Sequence, residues 1–357
     1  MPASLPTRTI TMPIVGILAA LSLSACSTIG YYCHLARGEY SMLSARQPIA
    51  RIIADPKTDA ALKVRLELAE RARAFASDKL GLPRNSSYTS YADLKRPYAT
   101  WNVFAAPEFS VQAVEHCYLF VGCLAYRGYF DRERADAEAA RLQAKGLDTS
   151  VGGSAAYSTL GWFADPLLNT MLRWDDDELA ATIFHELAHQ RLFVKGDTEF
   201  NESFATFVQS EGLREWRAAR GLPPDDSAGR KHEDEFEQLV LDTRERLRLL
   251  YATTLPPDAM RERKREEIER LRMEYSRLRD TQWEGKGGYD EWISSGINNA
   301  KLLPFGLYRR WVPAFSTVFA QQGGDWTAFY AAAAKIARLD VAARGDALSG
   351  LQTSRPD

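Results

Sequence analysis

The pentapeptide His185-Glu186-Leu187-Ala188-His189 sets two imidazoles four residues apart with a carboxylate beside the first. On an α-helix, positions i and i+4 share one face about a turn apart, so both rings can reach one metal ion while Glu186 acts on a nearby water. That is the arrangement a catalytic zinc needs. Leu179, Ala180, Ile183, Phe184, Leu187 and Ala188 make the surrounding segment largely apolar. The polar residues are therefore expected inside the protein, where unpaired polar groups are costly. Asp175 and Glu178 have capping-box spacing, and the acidic run from Asp175 to Glu178 suits the positive end of a helix.

Catalytic zinc normally takes three protein ligands and leaves a fourth position open. Residues 190–195 (QRLFVK) contain no further histidine, which leaves Asp197, Glu199 and Glu202 as the next acidic candidates. Gly196 is expected to end the first helix and Asp197 or Thr198 to cap the second, giving a tight antiparallel pair. His189 lies seven residues before Gly196, about 10 Å along the helix, and Glu202 six residues after it, roughly 9 Å along. Glu202 thus stands level with His189, whereas Glu199 would sit over the turn. Ala205 is small and lets the helices approach. The expected set is one Zn2+ held by His185, His189 and Glu202, with Glu186 as general base.

The implied reaction is amide hydrolysis. Zinc acidifies a water to a pKa of about 7 and polarises the carbonyl. Glu186 passes the water's proton to the leaving amine. A further donor must stabilise the oxyanion, and Tyr308 and Tyr157 are the candidates. Asn298, Asn299 and Asn201 are expected to orient the cleft or cap helices.

Elements must position these groups. Residues 48–80 carry helical periodicity, closed by Gly81 and Pro83. Residues 85–131 hold short aromatic and β-branched runs broken by Pro97, Pro107, Gly122 and Gly128, which predicts a small sheet. Asp131–Lys145 predicts an Ala-rich helix closed by Gly146, and Ser154–Phe163 another strand. The edge of that strand, from Tyr157 to Phe163, could pair with an extended peptide. Residues 232–280 predict two long amphipathic helices broken at Leu255-Pro256-Pro257, a solvated hairpin or an arm for a protein partner. Final helices are expected over 289–345.

The expected fold is α+β and mainly helical: zincin-like, with a small N-terminal sheet and a long C-terminal helical hairpin. Residues 1–25 read as a signal peptide and 26–357 as one domain. Within it lie an N-terminal helix and sheet over 27–174, the zinc-site helices over 175–212, the hairpin and the final helices.

The chain has 357 residues, net charge −2 and 45% hydrophobic content. With no basic excess, no nucleic-acid partner is expected. Met12–Leu23 is an apolar run of secretory length, shorter than the ~20 residues a membrane span needs. Leu23-Ser24-Ala25-Cys26 resembles the bacterial lipobox, which implies a lipidated Cys26 as the membrane anchor. Ser27 at the next position, by the same resemblance, directs the protein to the periplasmic side of the outer membrane. An oxidising compartment permits a Cys117–Cys123 disulfide; Cys33 has no evident partner, and no CxxC pair offers a cysteine zinc site.

His185–His189 followed by Asn201-Glu202-Ser203-Phe204-Ala205 resembles the HExxH…NExxA pattern of gluzincin metallopeptidases. From about Tyr31 to about Leu339 the chain resembles the zinc aminopeptidase lipoproteins of Gram-negative bacteria. The likeness runs through Trp101-Asn102-Val103, Ala106-Pro107-Glu108-Phe109, Tyr126-Arg127-Gly128-Tyr129-Phe130, Leu160-Gly161-Trp162-Phe163 and Asn298-Asn299-Ala300. This implies removal of N-terminal residues from peptide substrates in the cell envelope. Only twelve residues separate His189 from Glu202, fewer than in the thermolysin-like pattern, so that pattern's cleft does not carry over. No residue for a substrate α-amine stands out, which keeps an envelope endopeptidase as an alternative. A noncatalytic lipoprotein binding a partner through 232–280 is another. Glu186 argues against it, because a structural zinc has no use for a general base.

Overall fold

The computed structural model describes residues 29–118, 122–224 and 228–353. Cys26 and the whole leader lie outside the described residues. Helix α1 (29–44) leads into β1 (Gln47–Pro48), α2 (Ile49–Ala54) and α3 (Ala60–Asp78). The continuous helical reading of 48–80 breaks between α2 and α3, where Pro56 cannot donate to the ladder and Asp59 caps the new start by accepting from the Leu62 amide.

Strands β2 (Ser90–Ala92), β3 (Thr100–Pro107), β4 (His116–Tyr118), β5 (Gly122–Leu124) and β6 (Tyr126–Tyr129) follow, then α4 (Arg132–Gln143), β7 (Leu147–Ser154) and β8 (Leu167–Leu168). They form three small sheets. The largest has the order β6-β3-β7, antiparallel throughout, with Phe104 opposite Tyr126 on one side and Ser150 on the other. Alternation along β3 divides its faces. Val103 and Ala105 pack against Ala135, Ala139 and Leu142 of α4, while Phe104 and Ala106 pack against Ala300 and Leu303.

The strand expected over Ser154–Phe163 is overturned: β7 ends at Ser154, and 155–166 is a turn-rich loop. Leu160 and Gly161 hold φ of 57° and 82°, outside any strand. Buried Asp165 gathers the loop around itself, accepting from Thr159 Oγ1 at 2.6 Å and from Ser158 Oγ at 3.2 Å. No strand edge is therefore present at Tyr157–Phe163 to receive a peptide.

The remaining elements are helices: α5 (Asp176–Arg191), α6 (Thr198–Ala219), α7 (Ala228–Tyr251), α8 (Pro257–Gln282), α9 (Asp290–Ser294), α10 (Asn299–Tyr308), α11 (Val312–Gln321), α12 (Trp326–Ala337) and α13 (Val341–Thr353). The apolar residues of helix α5 are all buried and lie in the main core, with α3, α6, α11 and α12 contributing the facing side chains. The α7–α8 hairpin has its own core, in which Phe236, Val240, Leu247, Leu271 and Tyr275 meet Trp283, Ile293, Ile297 and Leu302. Its apolar face is thus covered by the segment leading into α10.

Candidate metal centre

Helix α5 starts where its acidic N-terminus is held on two sides. Asp175 accepts from the Glu178 amide at 2.7 Å, Asp176 pairs with Arg65 of α3, and Asp177 with Arg217 of α6. At its other end the helix stops earlier than expected. Leu192, not Gly196, is the C-cap, with extended backbone. Gly196 sits inside the connecting loop at φ 78°. Asn201, only 3% exposed, secures that loop: its Oδ1 accepts from the Val194 amide at 2.7 Å and its Nδ2 donates to the Val194 carbonyl at 2.8 Å. Asp197 caps α6 through the Phe200 amide and also takes a bond from Arg344.

Cys117 and Cys123 form a disulfide across the β4–β5 ladder, and this hairpin presses on the same loop. Gly122 is at φ 83°, and a Cβ there would come within 2.6 Å of the Gly196 nitrogen. Only glycine allows that approach.

The helix pair brings His185, His189 and Glu202 together. The two Nε2 atoms are 3.1 Å apart, and Glu202 Oε2 lies 3.3 Å from that of His185 and 3.6 Å from that of His189. Three ligands of a tetrahedral zinc, each about 2.0–2.1 Å from the ion, stand about 3.3–3.4 Å from one another. The donor set, two imidazoles and one carboxylate, and its dimensions both fit that ion. His185 Nδ1 contacts Gln209 Oε1 at 2.9 Å, which directs the ring's other lone pair inward. His189 Nδ1 is buried with no hydrogen-bond partner among the described residues. The other group of possible ligands, Glu115 with Cys117 and Cys123, is closed by the disulfide.

Burial alone would raise the Glu202 carboxyl, but the charges and hydrogen bonds of His189 and His185 outweigh it and hold the group well below the usual carboxylate range. Burial would lower His189, and Glu202 reverses that and raises it. The recess therefore favours positive charge between these side chains. Glu186 is pushed up by burial, with the two histidines pulling it down and Glu202 and Asp165 adding to the rise.

Further groups surround the centre that sequence reasoning did not single out. Tyr126, on β6, is raised by burial first and then by the charges of Glu202 and Glu186. Tyr88, 1% exposed, is raised by burial and by Glu186 and Asp165. Gln190, next to His189, donates to Asp165 and Ser87, both at 3.3 Å, and accepts from Asn85 at 2.7 Å. Buried Arg73 holds that strand of contacts from below, donating to the Ser87 carbonyl at 2.9 Å and the Pro83 carbonyl at 2.8 Å. Gln209, also not singled out, had a readable signal: it is seven positions after Glu202, on the same helical face.

Tyr157 packs on Phe130, with ring centroids 5.1 Å apart, and its hydroxyl is raised by burial first and then by the charge of Glu39. The side chain of Tyr308 lies outside the described residues. Asn298 caps α10 through the Lys301 amide. Asn299, fully buried, accepts from Tyr251 and donates to the carbonyls of Pro107 and Glu108, tying α10 to the end of β3.

The family described as "Putative aminopeptidase" matches residues 30–348. The chain belongs to this family. Its reaction class is accordingly peptide hydrolysis, with a peptide as substrate. No curated protein and no solved structure matches the chain. No helix among the described residues is long and apolar enough to cross a membrane.

Proposed function

We propose that this protein is a zinc-dependent aminopeptidase of the cell envelope, with a zincin-like arrangement of sheet and helix pair. The observation that carries the reading is the donor triangle of His185, His189 and Glu202, whose edges of 3.1, 3.3 and 3.6 Å suit one tetrahedral zinc. When bound, zinc supplies Lewis acidity that polarises the scissile carbonyl and acidifies water.

The chain's own residues do the rest. The Glu186 carboxylate takes the proton of the attacking water and delivers it to the leaving amine. Its raised affinity for a proton, set by burial, suits the second half of that transfer. Tyr126, on β6 and within electrostatic reach of Glu202 and Glu186, is the phenol assigned to donate a hydrogen bond to the oxyanion as charge develops there. Gln209 and the Asn201 clamp keep the ligands in register. The envelope address and the lipid anchor at Cys26 rest on the N-terminal sequence.

The test combines metal content with hydrolysis. Protein from Ser27 onward should contain one zinc and cleave free-amine aminoacyl amides, and Glu186→Gln should keep the zinc and lose the activity. Equal rates in both proteins, or no bound zinc, sink the reading. Cleavage of amine-blocked peptides would instead mark an endopeptidase. Palmitate labelling that survives Cys26→Ala would remove the anchor.

A further inference from the structure

A groove of about 550 Å3 runs between α7 and the junction of α10 with α11. One residue of its lining belongs to α6, the helix that carries Glu202. Glu199, which lines it, precedes Glu202 by three residues on the same face of α6, about 4.5 Å along the axis. Apolar walls come from Val111, Leu241, Phe305 and Val312.

Charges in the groove are paired, with one exception. Arg310 binds Glu199 at 2.7 Å, Arg309 binds Asp234 at 2.5 Å and Glu237 at 2.7 Å, and Arg248 binds Glu245 at 2.6 Å. Arg244 has no carboxylate within ion-pairing distance among the described residues. One of its terminal nitrogens donates to the Val111 carbonyl at 3.3 Å, and its Nε is shielded from solvent without any hydrogen-bond partner. Burial pulls this guanidinium down, and the charge of Glu199 is the one that opposes it. A shielded N–H left without an acceptor is costly, and the guanidinium's fork of donors matches a carboxylate with two parallel bonds.

We propose that Arg244 receives a carboxylate of the bound peptide, either its C-terminal group or an acidic side chain near the scissile bond, and so selects substrates by charge. This rests on the peptidase reading, and it would make the groove the leaving-side half of the cleft. Glu199, the lining residue on α6, is already paired with Arg310, which offsets its repulsion of an incoming anion.

The experiment uses zinc-loaded Glu186→Gln protein and calorimetric binding of short peptides in matched pairs. One pair differs only in a free or amidated C-terminus, the other only in Asp or Asn at an internal position. One charged member should bind about tenfold or more tighter than its neutral partner, as a charge-assisted bidentate contact allows, and the responsive pair identifies the carboxylate. Adding Arg244→Met should bring the ratio close to one. Arg244→Lys, which keeps the charge and loses the fork, should fall between and serves if the Met variant does not fold. Equal binding within both pairs, or an unchanged ratio in the Arg244 variants, overturns the proposal. Wild-type protein that hydrolyses no peptide, while an Arg244-dependent preference persists, would refute the peptidase reading and leave the groove's assignment intact.

Discussion

His185 Nε2 and Glu202 Oε2 stand 3.3 Å apart across two helices, although the chain between them finishes α5, makes a loop and opens α6. Their separation is set by how that loop is held, and each side chain that holds it, or that steadies a ring, has a measurable consequence.

Gln209 steadies His185 through a 2.9 Å contact to Nδ1. Gln209→Ala should weaken zinc binding by about 10–100-fold, the usual cost of losing the group that orients a ligating histidine. Gln209→Glu keeps an acceptor and should stay near wild type. Competition with a chromophoric chelator measures both, and equal affinity in the Ala variant would leave Gln209 without this role.

Asn201 spans the loop with two part-buried hydrogen bonds to Val194. Asn201→Ala leaves the half-buried Val194 amide and carbonyl without these partners, which should cost about 1–3 kcal/mol of stability. Urea unfolding of the metal-free protein reports this directly. A change below about 0.5 kcal/mol would mean that the loop is held by other contacts.

Tyr126 should matter to turnover and not to metal. With Tyr126→Phe, kcat is expected to drop by about 100–1,000-fold, as for loss of an oxyanion donor, while zinc content stays the same. A full-speed Phe variant would return the search for that donor to Tyr308.

Glu237, whose side chain is 13% exposed, is pushed up to about 7 by burial, against the pull of Arg309. The folded protein then holds this proton more tightly than the unfolded chain, so unfolding releases it. Stability should therefore fall as pH rises from the usual carboxylate range toward 7, by on the order of 1–3 kcal/mol once solvent screening is allowed for. Glu237→Gln has no proton to lose. Its stability relative to wild type should be greater at pH 8 than at pH 5, measured by unfolding at both; a pH-independent difference would contradict the shift.

Much of the clustering of His185, His189 and Glu202 was legible in the residue order, because its logic is local. Two histidines at i and i+4 define a face, the apolar neighbours around them place the helix inside, and Asp175 marks its start. Glu202 could be placed by counting helical rise back from a short turn. The β3 sheet, α4 and the long hairpin were likewise readable from periodicity. The turn itself was read one way and built another. Gly196 carries the positive φ expected of a terminator, yet the helix stops at Leu192, because Asn201 pins Val194 and the disulfide hairpin crowds Gly122 onto Gly196. Those contacts join residues whose sequence spacing encodes nothing about them.

The same limit explains the loop at 155–166. Tyr157 to Phe163 has the spacing of a strand, and only the buried carboxylate of Asp165, with Ser158, Thr159 and Gln190 around it, turns it into a loop. Tyr126 and Arg244 carried no sequence signal, because the roles proposed for them come from their surroundings in the fold. The sequence by itself determined which residues could hold a metal and which helix would present them, since both follow from the 3.6-residue period and the burial of apolar side chains. Tertiary structure decided the distances between donors, the groups that steady them and the charge left without a partner, because hydrogen bonds and ion pairs depend on separations that only packing sets.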